Sequence, residues 1–457
     1  MGVRMEQIRL GAGAGFAGDR IDPAVELAQY ADLDYLIFEC LGERTVAAGQ
    51  ARRREDAQAG YDPLLVARIA AVIEHTLVAG TTIITNGGSS NPLAAADAVA
   101  TMLSQRDLGR PVRIAAVTGD DVEQVIRTDD PLVWETGQPV SAHASELLSA
   151  NAYIGADALV AALEQDVDIV IAGRAADPSL YLAPMIHTFE WDAADHALLG
   201  AGTCVVHLLE CAGQLTGGYF ADPGPKDVPG LARLGFPYAD VRADGSAVVG
   251  KLERSGGVLD ERTCREQLLY EVHDPHAYLT PDVTADFSRV RFTSEGPDHV
   301  RVSGATGAPR PADLKVSLGF RGGWTGEGQM TYAGPRAEDR ARLAADVVLE
   351  RLRAVHGIPT DALTVELIGT GSAFRGAPGA RGREDVVIPE VRLRVSGVLE
   401  TREQADAIRW EVESLYTNGP AGGGGARGSV TEVVAIRAAS LPREAVQTTV
   451  HIQEVSR

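Results

Sequence analysis

Cysteine is scarce in this sequence, and cationic residues are well outnumbered by acidic ones. Four cysteines occur in 457 residues (Cys40, Cys204, Cys211 and Cys264), which excludes a disulfide-stapled scaffold and points to a reducing, cytoplasmic setting. Lys and Arg total 42 against 63 Asp and Glu, a formal net charge of −21. A surplus of that sign opposes nonspecific attachment to phosphate backbones or anionic membranes, so neither nucleic acid nor membrane is expected as a partner. It still admits a small anionic substrate in a locally basic pocket. No apolar run reaches the ~18 residues needed to span a bilayer. The opening MGVRMEQIRL passes into glycines instead of an apolar signal core. HExxH, paired CxxC and a Ser/His/Asp signature are all missing. What remains is an ordinary globular composition, 45% apolar and 23% charged, able to bury a large core unaided.

Through the first half, short apolar runs alternate with helical periodicity. Strands are expected at 8–11, 33–40, 81–85, 112–118 and 167–172. Helices are expected to open at Asp22-Pro23 and to cover 43–54, 63–78, 92–105 and 152–165. Five buried strands separated by helices predict an α/β fold with a doubly wound, mostly parallel sheet in residues 1–225. The Pro/Gly-rich stretch 221–230 marks the boundary. Residues 226–457 read as an α+β region with hairpins. Its segment from about 326 to 437 follows the ferredoxin-like βαββαβ order, with strands expected at 314–320 and 328–332 and a final strand pair at 431–436 and 446–452.

In such sheets the ligand crevice lies past the carboxyl ends of the strands. That position selects Glu39, Asn86, Asp120, Asp121, Arg174 and Asp177, although Asn and Asp also serve there as caps and turn formers. Arg174 suits a carboxylate or phosphate; pairing with Asp177 is its structural alternative. Along the helical stretch 198–211, Cys204, His207, Glu210 and Cys211 fall near one face. They read as metal ligands, as an imidazole-activated thiol, or as a buried thiol beside a satisfied His–Glu pair. No metal is expected. The turn Thr216-Gly217-Gly218-Tyr219 offers N–H donors to an oxyanion, and Lys251 offers a second cation. Gly13-x-Gly15-x-x-Gly18, with Glu39 at the next strand end, matches the dinucleotide fingerprint. The helix, however, is expected to start only at Asp22, beyond the third glycine. Gly423 and Gly424, within the four glycines 422–425 before Arg427, aim backbone N–H groups at an anion or form a flexible connector. Which of the two glycine loops would hold phosphate stays open.

A set of ordered segments carries a resemblance: Gly18-Asp19-Arg20, Thr85-Asn86-Gly87-Gly88, Gly119-Asp120-Asp121, Asn151-Ala152-Tyr153-Ile154-Gly155, Ile171-Ala172-Gly173-Arg174 with Asp177, His207-Leu208-Leu209-Glu210-Cys211 through Thr216-Gly217-Gly218, Lys251 with Gly256-Gly257, Pro281-Asp282-Val283, and Tyr416-Thr417-Asn418-Gly419-Pro420 with its four glycines. On these the chain resembles the AtuA family, named for acyclic terpene utilisation, over nearly its whole length. The resemblance implies a place in bacterial breakdown of citronellol- and geraniol-type acids through branched acyl-CoA thioesters. It departs at Tyr219, where relatives often carry Asn, and at Phe38-Glu39-Cys40.

The expectation is therefore a cytoplasmic, homo-oligomeric enzyme doing acid–base chemistry of the hydratase, lyase or isomerase type on a branched carboxylate or acyl-CoA. Glu210, Asp177, His207, Cys211 and Tyr219 are its catalytic candidates. Asn86, Asp120, Arg174, Thr216, Gly217, Gly218, Lys251, Gly423 and Gly424 are its substrate-binding candidates. No cofactor is expected beyond CoA carried by the substrate. The rivals are a non-catalytic metabolite-binding or scaffold subunit of a catabolic complex and an NAD(P)-dependent oxidoreductase.

Overall fold

The computed structural model describes residues 6–374 and 388–456, and a ten-stranded mixed sheet dominates it. The strand order is Arg291–Gly296, His299–Ser303, Ala247–Lys251, Pro237–Arg242, Gln7–Ala14, Tyr35–Phe38, Thr82–Thr85, Ile169–Ala172, Val112–Thr118 and Thr449–Val455. The five strands from Gln7–Ala14 to Val112–Thr118 run parallel. Tyr35–Phe38 and Ile169–Ala172 are buried at every residue, as parallel strands covered on both faces must be. The helices Asp22–Tyr30, Leu65–Ala79 and Pro92–Ser104 pack in one row, and Ala156–Leu163, Asp177–Phe189 and His196–Leu209 in another.

The fold is mixed α/β, and the parallel stretch is only its middle. Pro237–Arg242 extends the sheet antiparallel to Gln7–Ala14, with Arg9 opposite Asp240 and ion-paired to it at 2.7 Å. At the other edge, Thr449–Val455 runs antiparallel to Val112–Thr118. The expected boundary at 225/226 is accordingly wrong. Residues up to 319 and residues 436–457 form one unit, and 320–435 form the other. The 221–230 stretch is a surface loop inside the first unit, closed by a bridge between Asp222 and Lys226.

In the second unit the chain order is strand, helix, two strands, helices, strand. The strands lie side by side as Leu363–Ile368, Glu390–Leu399, Asp313–Ala333 and Gly423–Pro442. Helices Ala337–His356 and Arg402–Glu413 contribute Val348, Leu352, Ile408 and Val412 to a core with Met330, Val391, Leu393 and Val395. Strands expected at 314–320 and 328–332 are one strand, because the intervening glycines serve close packing instead of a turn. A Cβ at Gly326 would lie 2.2 Å from the Ala405 carbonyl oxygen. The expected final pair at 431–436 and 446–452 is likewise split: the first joins this sheet and the second closes the ten-stranded one. Among the described residues no helix is long and apolar enough to cross a membrane.

Candidate functional site

The parallel strands stop almost level. Ala14 sits beside Phe38, Phe38 beside Thr85, and Thr85 beside Ile171. The chain beyond these ends therefore converges on one edge, and a cavity of about 760 Å³ opens there. Glu39, Arg174, Asp177, Glu210, Cys211, Gly218 and Tyr219 all line it.

Arg174 is its centre. The side chain is 2% exposed and ion-pairs through Nη2 with Asp177 at 3.0 Å, while Nη1 donates to the Leu41 carbonyl at 2.9 Å. Its guanidinium lies 4.1 Å from the centroid of the Tyr153 ring. Nε is buried without a partner in the protein. Burial by itself would make the cation harder to hold; Asp177, Tyr153 and Glu39 outweigh it, so Arg174 keeps its proton more firmly than usual. The structural alternative is what the geometry shows: the Arg174 charge is paired with Asp177.

Glu39 stands opposite. Its Oε1 accepts from the Leu41 N–H at 2.6 Å and from Asn86 Nδ2 at 3.2 Å. Burial, followed by the Asp177 carboxylate, raises its pKa well above the ordinary range and favours its protonated form. Both hydrogen bonds fall on Oε1. Asn86 is fully buried and outside the cavity; it accepts from the Cys40 N–H and holds Glu39 in place. Burial also pushes Asp177 up to about 6, with Arg174 opposing and Glu210 reinforcing the shift.

Glu210 caps the helix His196–Leu209 at its C-terminus. The three-residue spacing works as read from the sequence: His207 Nδ1 and Glu210 Oε1 are 2.7 Å apart. The imidazole packs against Tyr278 and Phe287, which also touch each other, and does not line the cavity. It orients Glu210, whose Oε2 is buried with no protein partner. Cys211 lines the wall, but burial and the adjacent Glu210 push its thiol well up, which removes it as a nucleophile. Cys204 is fully buried in the apolar core.

Several sequence expectations fail on geometry. Gly13 lies within the strand Gln7–Ala14, and the next helix starts only at Asp22. The Gly15 N–H is taken by Asp19 Oδ2 at 3.0 Å, a carboxylate where a pyrophosphate would have to sit. This is no nicotinamide site. Gly15 is small because the Cys211 backbone packs on it: a Cβ there would lie 2.6 Å from the Cys211 carbonyl carbon. Gly15→Ala should therefore cost about 1–3 kcal/mol in urea unfolding, because neither backbone can yield.

In the 216–219 turn, the Gly217 and Gly218 N–H groups already bond to the Gln214 and Gly213 carbonyls, so they form no oxyanion hole. The Thr216 hydroxyl is fully buried on the Gly235 carbonyl. Lys251 is buried against Asp298 at 3.0 Å, away from the cavity. Asp120 accepts from the Arg174 N–H at 2.9 Å and from Asn151, fixing the loop from beneath; burial pushes it up to about 6. Gly423 and Gly424 belong to the second unit's last strand, where a Cβ on Gly423 would press on the Tyr332 ring at 3.2 Å.

Among the lining residues that the sequence did not single out as site candidates are Glu43, Tyr153 and Lys315. The Tyr153 N–H bonds to the Lys315 carbonyl at 2.9 Å, which brings that remote lysine over the Tyr153 ring at 4.8 Å. Glu43 accepts from the Tyr153 hydroxyl at 2.8 Å and from Lys315 at 3.2 Å. These partners overcome its burial and lower its pKa to about 2. Only Glu43, as a first-turn acid of its helix, carried a local signal. The lining thus holds six carboxyl groups (Asp19, Glu39, Glu43, Asp177, Glu210, Glu271), Glu39 held toward its neutral form, against three cations (Arg20, Arg174, Lys315). The pocket is acidic where a locally basic one was expected. Among the described residues, no group of three His, Cys, Asp or Glu side chains is arranged to hold a metal ion.

No curated protein and no solved structure matches the chain. The family model described as acyclic terpene utilisation family protein AtuA matches residues 8–452, which takes in the strand ends, the Glu210 helix and every residue lining the cavity. The chain belongs to the AtuA family.

Proposed function

We propose that this cavity carries general acid–base chemistry on the uncharged end of a branched acyl group: addition or elimination of water, or a double-bond shift. One observation supports this above the rest. A carboxyl that burial holds toward its protonated form, Glu39, and a second carboxyl oriented by His207, Glu210, line the same cavity, and two carboxyls in such different surroundings suit paired proton transfer.

In hydration, Glu210 Oε2 takes a proton from water as the water oxygen bonds to the β-carbon. Glu39 gives its proton to the α-carbon. The two carboxyls exchange protonation states, and transfer through water past Asp177 resets them. The carboxylate surplus disfavours a free carboxylate substrate and accepts a thioester, of CoA or of a simpler thiol. Leu231, Leu234 and Phe236 give the branched chain an apolar wall.

The test is to incubate the protein with branched enoyl thioesters and the matching hydroxyacyl thioesters and to follow the mass. Gain or loss of one water, or a shifted double bond, is expected. A broad panel returned unchanged in both directions would overturn this function.

A further inference from the structure

Tyr219 is the most strained aromatic residue at the cavity. Its φ is +60°, in the left-handed region where a bulky side chain is an outlier. The turn bonds of Gly217 and Gly218 hold it there. The conformation brings little burial in return: the side chain is 87% exposed, and its ring meets Tyr270 edge-on with centroids 6.1 Å apart. A second cavity of about 230 Å³ adjoins the first, and Gln214, Gly218, Tyr219 and Tyr270 line both. Beyond them the second cavity offers Phe220 and Leu269 beside Thr263, Gln267 and a single charged residue, Glu266, whose carboxylate is paired with Lys226. Tyr219 therefore stands on the ridge between a polar chamber and an apolar one.

We propose that the second cavity is a subsite for the distal part of an acyl chain and that Tyr219 closes over the chain as it crosses the ridge. The inference takes its ligand class from the function proposed above and adds a determinant of chain length. Strain at a fixed, exposed aromatic ring keeps it presented to ligand, and burying that ring against a hydrocarbon chain recovers hydrophobic free energy that the empty site lacks. A short acyl group held beside Glu39 and Glu210 stops short of the ring.

The experiment measures affinity by calorimetry for branched acyl thioesters of N-acetylcysteamine of increasing chain length, with wild type, Tyr219→Gly and Tyr219→Phe. Glycine relieves the positive φ, so the variant should melt no lower than wild type. Wild type should gain affinity once the chain reaches the ridge. Tyr219→Gly should lose roughly tenfold for those long chains, the equivalent of about 1.4 kcal/mol, and nothing for the shortest. Tyr219→Phe should keep the gain, because the ring and not the hydroxyl makes the contact. An unchanged length dependence in Tyr219→Gly overturns the inference, and so does a flat one in wild type. Turnover of the shortest enoyl thioester, read separately, reports on the proposed function alone.

Discussion

Glu39→Gln is expected to lower kcat by roughly 10²–10⁴-fold while KM stays within a few-fold. The substitution keeps the shape of the side chain and its carbonyl acceptor, so the Leu41 N–H and Asn86 Nδ2 retain their partner. Only the transferable proton is lost. The pH dependence separates this role from a structural one. Activity needs Glu39 protonated, so it fails as pH rises through the raised Glu39 pKa. The Asp177 carboxylate is the second cause of that raised value, after burial. Asp177→Asn removes a like charge, makes Glu39 easier to ionise and should move the high-pH limb to lower pH. A limb that stays in place, or moves upward, would show that another group donates the proton.

Stability provides an independent reading of the same protons. A carboxyl whose folded pKa lies above its unfolded value binds more protons folded than unfolded, so its contribution to stability is lost as pH rises through that window. For Asp120 and Asp177, both near 6 in the fold, the window runs from about 4 to 6.

Much of this site was legible in the sequence because it sits where the chain rules are local. A buried apolar run that stops at Phe38 puts Glu39 at a sheet edge, and one that stops at Ala172 does the same for Arg174 and Asp177. His207 and Glu210 meet because they are three apart on a helix. What stayed hidden depends on partners far away in the chain. Nothing near Lys315 in sequence announces that strand pairing beside Tyr153 will carry it to the cavity. The Thr216 turn was misread for the opposite reason: glycines suggested open N–H donors, but the Gly217 and Gly218 N–H groups close locally onto the Gln214 and Gly213 carbonyls. The antiparallel flanks of the large sheet were missed as sheet members because local patterning fixes a strand's period and not its partner. Gly423, Gly424 and Gly425 were read as loop from backbone propensity, but they open the strand Gly423–Pro442, with Gly422 in the turn before it.

Arg174→Met should be the most destabilising substitution at the site, at about 3 kcal/mol in denaturant unfolding. Removing one member of a buried ion pair leaves the other without its counter-charge, which costs on the order of 3–5 kcal/mol. The low end applies because the Asp177 side chain is 33% exposed, toward the cavity, and solvent takes up part of the loss. Met fills much of the same volume, so the penalty is electrostatic more than cavity formation. Arg174 also depresses the pKa of both Asp177 and Glu39; without it both carboxyls hold their protons more tightly. The variant's deficit should therefore shrink as pH falls toward 5 and grow as pH rises above 7. The double substitution Arg174→Met with Asp177→Leu removes the stranded charge as well and should recover most of the stability at neutral pH, while remaining inactive. If the single variant unfolds with the same deficit at every pH, and the double variant recovers nothing, Arg174 acts through packing and the charge balance assigned to this cavity is wrong.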